Sequence, residues 1–223
     1  MVVEPHLRTL TGEVIPLRTI YCIGRNYTAH AREMNVEPPT EPVVFIKPPT
    51  SSIGDGGTIR IPRGEGIVHH EVELVAVIGE SLHKSTPEQA RWAIQGYAVG
   101  IDVTLRDRQM QAKQQGLPWA LAKSFATSAP ISAVVPIEMI SELEELEFGL
   151  EVNGTVRQRS WPRLMIWSVE VLVAFLSRWF RLMPGDVVFT GTPDGVGPLT
   201  EGDRVRAWLG NLVELRVDVT FEP

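Results

Sequence analysis

The residues best placed to do chemistry in this 223-residue chain are carboxylates set among apolar neighbours. Glu71 and Glu73 lie in His70-Glu71-Val72-Glu73-Leu74-Val75-Ala76-Val77-Ile78. Read as a strand, the run points both acids to one face, roughly 7 Å apart, beside Val75 and Val77. Val72, Leu74, Ala76 and Ile78 make the other face apolar as well. A strand apolar on both faces is expected to be buried, and two buried carboxylates need a compensating cation. The alternative for an isolated Glu-x-Glu is a solvated strand end. Asp102 is a third acid of the same character. It closes the apolar strand Tyr97 to Asp102 and reads equally well as a helix N-cap. Three such carboxylates would make a hard oxygen site suited to Mg²⁺ or Mn²⁺. A single cysteine and the absence of His-Glu-x-x-His make zinc a poor match.

His30 and Glu33 sit three apart on a short predicted helix, Tyr27 to Met34, so the carboxylate can orient and charge-stabilise the imidazole. The pair reads as a candidate base or as a surface contact. Lys47 and Lys123 each follow an apolar run; beside a metal either could hold an oxyanion, and at a core edge either could snorkel to water. Arg106 and Gln109 share one face of the helix after Asp102, whose first turn could equally be solvated. Gly191 to Pro198 resembles a phosphate loop only superficially, because it lacks the Gly-Lys-Ser/Thr ending and a following helix. It reads as a turn between strands or as an amide-rich cradle for a carboxylate.

Short β-rich runs must position these groups: Thr19 to Ile23, Val43 to Ile46, Glu71 to Ile78, Tyr97 to Asp102, Leu150 to Arg157, Val187 to Thr190, Arg204 to Leu209 and Leu212 to Phe221. Asn153-Gly154 between alternating apolar residues signals a type I′ hairpin. Helices are expected at Tyr27 to Met34, Pro87 to Gln95 after the cap Thr86, Leu105 to Gln115 before Gly116, and Val169 to Phe180. Strands and helices do not alternate, so a doubly wound sheet is disfavoured and a β-dominated α+β fold expected.

The length suits one domain over residues 1–223. A net charge of −6 without a basic stripe argues against nucleic acid and against anionic membranes. Val169 to Phe180, the longest apolar stretch, is too short to span a bilayer. No secretory signal opens the chain, and one cysteine suits a reducing compartment, so a cytoplasmic location is expected and the Asn26 and Asn153 sequons are read as chance.

Taken in order, these segments resemble the fumarylacetoacetate hydrolase family, particularly its short acylpyruvase and oxaloacetate decarboxylase branch. The blocks carrying the resemblance begin with Cys22-Ile23-Gly24-Arg25-Asn26-Tyr27, His30, Glu33 and Met34, then Phe45-Ile46-Lys47-Pro48 and His69-His70-Glu71-Val72-Glu73-Leu74. They continue with Asp102-x-Thr104-x-Arg106-Asp107-x-Gln109, Gly116-Leu117-Pro118-Trp119, Lys123-Ser124-Phe125, Val152-Asn153-Gly154 and Thr190 to Pro198. The chain is also similar to 2-hydroxyhepta-2,4-diene-1,7-dioate isomerases. Ala126 departs from the acidic residue that many members carry after Lys-Ser-Phe.

The resemblance implies a catalytic domain of rolled mixed β-sheets with a few short peripheral helices, without the N-terminal domain of full-length members, and usually a homodimer. It implies Mg²⁺ or Mn²⁺ on Glu71, Glu73 and Asp102, and a water-activating dyad of His30 and Glu33 on a helix that orders over ligand. Lys123 would stabilise enolate charge, and Arg25, Arg106, Gln109 and Thr192 would contact a 2-oxo or 2,4-dioxo acid. The implied reaction is hydrolytic C–C cleavage of acylpyruvates, decarboxylation of oxaloacetate, or both, with the diene-dioate isomerase as the alternative. An inactive, metal-stabilised binding protein on the same fold is the non-enzyme alternative.

Overall fold

The computed structural model describes residues 4–33 and 39–222. In chain order the strands are β1 (His6–Arg8), β2 (Val14–Pro16), β3 (Ile20–Gly24), β4 (Val43–Lys47), β5 (Ser52–Ile53), β6 (Thr58–Ile61), β7 (Val68–His70), β8 (Val72–Ile78) and β9 (Ile94–Ile101). They continue as β10 (Thr104–Leu105), β11 (Ala129–Pro130), β12 (Val135–Pro136), β13 (Phe148–Val152), β14 (Thr155–Ser160), β15 (Val187–Phe189), β16 (Gly197–Pro198), β17 (Arg204–Leu209) and β18 (Val213–Phe221). The helices are short: α1 (Thr28–Glu33), α2 (Pro87–Trp92), α3 (Arg106–Gln115), α4 (Ala120–Lys123) and α5 (Val169–Trp179). Strands dominate, as expected. No helix among the described residues is long and apolar enough to cross a membrane.

Two mixed sheets carry the fold. The six-stranded sheet runs β12-β9-β8-β15-β3-β4, with β15 parallel to β3 and its other pairs antiparallel. The five-stranded sheet runs β14-β13-β17-β18-β6, with β6 parallel to β18. Between them lies the larger core, where Val72, Leu74, Ala76 and Ile78 of β8 meet Phe148, Leu150, Ala207 and Leu215, and α5 adds Leu172, Val173 and Leu176. Val75 and Val77 turn the other way, into a second core with Ile20, Cys22, Ala98 and Phe189. All seven residues of β8 are buried, as its two apolar faces require.

Local signals account for most element ends. Thr86 and Gln89 form a reciprocal capping box at the start of α2 with Pro87 in its first turn, and Gly116 closes α3 in the left-handed region at φ 66°. Asn153 and Gly154 take φ of 51° and 78°, the two positive angles of a I′ hairpin between β13 and β14. Four expectations need correction. Glu71 and Asp102 lie just outside β8 and β9, because each stands where its strand leaves the sheet. Asp102 is not a helix cap: Leu105 holds that position in α3, and the carboxylate of Asp102 is turned inward. The helix expected over Pro87 to Gln95 stops at Trp92, because Ile94, in β9, already pairs with Ile78; α1 spans Thr28–Glu33, and Met34 lies outside the described residues.

β8 and β9 pair so that Glu73 stands opposite Gly100, and the amide of Asp102 donates to the carbonyl of Glu71 at 2.8 Å. A Cβ at Gly100 would come within 2.6 Å of the Phe189 ring and 2.8 Å of Val75 Cγ2, so this glycine lets the second core close directly against the acids. Gly100→Ala is therefore expected to cost about 1–3 kcal/mol of stability through overpacking. Urea denaturation checks this, and a change below ~0.5 kcal/mol, the scale of an unstrained surface substitution, would show that the slot has room.

Candidate functional site

The face of β8 and β9 toward the second core ends in a cleft where Glu71, Glu73 and Asp102 converge, each at most 5 % exposed. One oxygen from each lies within 4.8 Å of the others. Strand alternation brings Glu71 and Glu73 to this face, and the β8–β9 register sets Asp102 beside Glu71.

Three cations balance them. Lys123 closes α4, and its Nζ donates to Glu71 Oε2 at 2.7 Å, Asp102 Oδ2 at 2.5 Å and Thr104 Oγ1 at 2.7 Å. Arg106 bonds Glu71 through one arm of its guanidinium and Gln109 Oε1 through another at 2.7 Å. Lys47, wholly buried at the end of β4, lies 2.9 Å from Asp102 Oδ1. Its ammonium hydrogens go instead to the carbonyls of Lys123 and Ser128 and to Ser128 Oγ. Asp102 Oδ1 therefore has a cation beside it but no hydrogen-bond donor. Of the two readings open for the lysines, neither side chain snorkels.

The charges are unevenly settled. Burial opposes the charge on Glu71, yet Lys123 and Arg106 outweigh it and hold the carboxyl well below the usual range. Glu73 goes the other way: burial, then Asp102 and Glu71, push it well above the usual range, against Lys123 and an amide hydrogen bond from Gly191 at 2.7 Å. Asp102 and Glu71 keep Lys123 charged in spite of burial. The acids thus keep an oxygen without a hydrogen-bond donor and a carboxyl that no cation directly pairs, Glu73, a cluster of hard oxygens that fits a divalent cation.

The loop leading into α1 is pinned by Asn26, whose side chain donates to the carbonyls of Trp167 at 3.0 Å and Thr190 at 2.8 Å and accepts from the Trp167 amide at 2.8 Å. Asn26 is fully buried, consistent with a chance sequon. The anchor turns His30 into the cleft, with Nδ1 3.2 Å from Glu33 Oε2. Glu33 itself does not line the cleft; its Oε1 accepts from the Gly195 amide at 3.2 Å. The Gly191 to Pro198 turn thus receives carboxylates of the protein itself, Glu73 at one end and Glu33 at the other. Gly191 needs φ 101°, and a Cβ there would lie 2.7 Å from Asn26 Cβ, so the close approach admits only glycine.

Arg25, Gln109 and Thr192 also line the cleft. Thr192 is constrained: its hydroxyl donates to the Val72 carbonyl and accepts from Gln158 Nε2, both at 2.8 Å, so any donor it offers a ligand is its backbone amide. Sequence reasoning missed Gln158, which is buried in β14, where its Oε1 meets His70 Nδ1 at 2.9 Å and the Val72 amide at 3.0 Å. A lone glutamine in a polar hairpin arm gives no signal of depth. It also missed Lys113 and the aromatic wall of Phe45 and Trp119.

Removing Lys123 would leave Glu71 and Asp102 short of charge in a buried setting. Lys123→Met is expected to destabilise the metal-free protein by about 3–5 kcal/mol at neutral pH. Because the folded-state pKa of Glu71 is depressed, its contribution is present above the ordinary carboxylate range and is lost as pH falls through the folded value. The deficit of the variant should therefore shrink in acid. Denaturation curves at several pH values check this, and a deficit that grows in acid would contradict the pairing.

The chain matches the profile of the fumarylacetoacetate (FAA) hydrolase C-terminal domain over residues 19–220. It is 44% identical to the Arabidopsis thaliana mitochondrial oxaloacetate tautomerase FAHD1 over 200 residues, covering 90% of each chain. It is 44% identical to the Escherichia coli oxaloacetate tautomerase YcgM over 191 residues, covering 85% of this chain and 87% of the relative. The crystal structure of fumarylpyruvate hydrolase from Pseudomonas aeruginosa in complex with Mn²⁺ and pyruvate superposes with a TM-score of 0.93 at 41% identity, covering 100% of this chain and 98% of that one. A 2-hydroxyhepta-2,4-diene-1,7-dioate isomerase from Mycobacterium marinum superposes at 0.82 with 36% identity, covering 93% of this chain and 76% of that one. With the profile spanning nearly its whole length and such relatives sharing its fold, the chain belongs to the fumarylacetoacetate hydrolase family.

Proposed function

We propose that the protein is a Mg²⁺- or Mn²⁺-dependent enzyme that enolises short 2-oxo acids, with oxaloacetate keto–enol tautomerisation as its simplest reaction. The observation that carries this reading is the buried triad Glu71, Glu73 and Asp102, with its orphan Asp102 Oδ1, opening into a cleft that also holds His30. When bound by the triad, the ion supplies Lewis-acid withdrawal of charge from the carboxylate and keto oxygens of the substrate.

The chain's own residues supply the rest. Arg106, Gln109 and Arg25, with the Thr192 amide, hold and orient the acid, and the Lys123 ammonium favours negative charge as it develops on the enolising oxygen. His30 takes a proton from C3 and delivers it to the enolate oxygen, which completes the enol, while Glu33 keeps the imidazole in place. Phe45 and Trp119 exclude water from one wall.

A second reading, hydrolytic C–C cleavage of acylpyruvates, is favoured by the His30–Glu33 pair at 3.2 Å, which can activate water for attack at the 4-carbonyl. Like tautomerisation it passes through the enolate of a 2-oxo acid, here released pyruvate, and the Pseudomonas aeruginosa relative in complex with Mn²⁺ and pyruvate is a fumarylpyruvate hydrolase. Decarboxylation of oxaloacetate also leaves pyruvate enolate, with CO₂ as the leaving group, but requires no base.

The reactions separate in variants. His30→Ala is expected to lower tautomerisation and acylpyruvate hydrolysis by ~10²-fold or more, with Mn²⁺ binding retained and decarboxylation less affected. Glu73→Ala should remove all three. Parallel assays of the two variants check this. Equal loss of all three activities in His30→Ala would make that histidine structural, and full activity in Glu73→Ala would sink the triad reading.

A further inference from the structure

The cleft carries more positive charge than its acids use. Lys123 and Arg106 are paired with Glu71 and Asp102, but two other lining cations, Arg25 and Lys113, form no ion pair among the described residues. Arg106, Gln109 and Lys113 follow one another on α3 at i, i+3 and i+7, a single helical face that runs about 10 Å from the acids outward. Lys113 stands at the outer end, solvent-accessible on one side. Its Nζ lies 5.1 Å from the centre of the Trp119 ring, which packs on Phe45 with ring centres 5.9 Å apart. Arg25 holds a left-handed backbone, φ 63°, that an L side chain adopts only under constraint. Burial against the wall, then the neighbouring Arg25 and Arg106, pull the Lys113 ammonium down to about 8. Crowded cations of this kind are settled by an anion, and a divalent ion on the triad would add to the positive excess.

We infer that Lys113, with Arg25 beside it, forms a carboxylate subsite at the cleft mouth that receives the distal carboxylate of a short dicarboxylic 2-oxo acid. A monocarboxylate spends its one charge at the inner end and leaves the mouth unmatched. The inference rests on the 2-oxo acid reading of the cleft and deepens it: the enzyme selects dicarboxylates, and the selecting residue is Lys113.

N-oxalylglycine and N-methyloxamate test it directly, since they differ only in the distal carboxylate and neither can enolise. Calorimetric titration into Mn²⁺-loaded protein should show the wild type preferring N-oxalylglycine by about 10-fold or more, the scale of a charge-assisted hydrogen bond. Lys113→Met should collapse that preference toward unity, and Lys113→Arg should keep most of it. Assays of the same variants should show the oxaloacetate-to-acetylpyruvate ratio of kcat/KM falling in Lys113→Met and holding in Lys113→Arg. No preference in the wild type, or one undiminished in Lys113→Met, overturns the subsite while N-methyloxamate binding upholds the 2-oxo acid reading. Failure of both compounds to bind overturns the two together.

Discussion

The structure depends on one electrostatic constraint: three carboxylates are held out of water on the face of a central strand pair, and buried charge is tolerable only with counter-charge and hydrogen bonds in place. Glu71, Glu73 and Asp102 have Lys47, Lys123 and Arg106 around them, yet not every oxygen is matched. Glu73 is held well above its usual range, and Asp102 Oδ1 has no donor. An apolar cluster would be more stable. A set of hard oxygens left partly unmatched is instead the arrangement that takes up a divalent cation.

The rest of the fold follows from where these groups must come from. β8 has to be interior, so two cores form on its faces, one against the five-stranded sheet and one around Phe189 and Cys22. The cations come from three further elements: the end of β4, the first residue of α3 and the last of α4. Asn26 ties the loop before α1 to the end of β15, and Glu33 ties α1 to the Gly191 turn. The histidine that faces the acids is thereby held by the same turn whose first amide meets Glu73.

Much of this was legible in the chain. The alternation of Val72, Leu74, Ala76 and Ile78 with Glu73, Val75 and Val77 already requires a strand buried on both faces, and the capping and turn residues mark their elements. Spacing alone left Asp102 between ligand and cap, because the distinction depends on the β8–β9 register, which a linear pattern does not contain. The ordered resemblance to the family brought the triad together. The sequence leaves Lys47 between snorkelling and burial because an apolar run before a lysine looks the same at a core edge and at full depth. Helix α4 is one turn long and escapes periodicity, and β6 is masked by flanking Gly and Pro. Gln158 and Lys113 lie in polar stretches, where only the tertiary fold tells inward from outward.

The proposed chemistry stands on one divalent ion held by the triad. Titration of metal-free protein with Mn²⁺, followed by electron paramagnetic resonance of the free ion, counts tight sites directly. One Mn²⁺ per chain is expected, lost in Asp102→Asn that remains folded by circular dichroism. No tight Mn²⁺ in the wild type, or the same stoichiometry and affinity in Asp102→Asn, would contradict it.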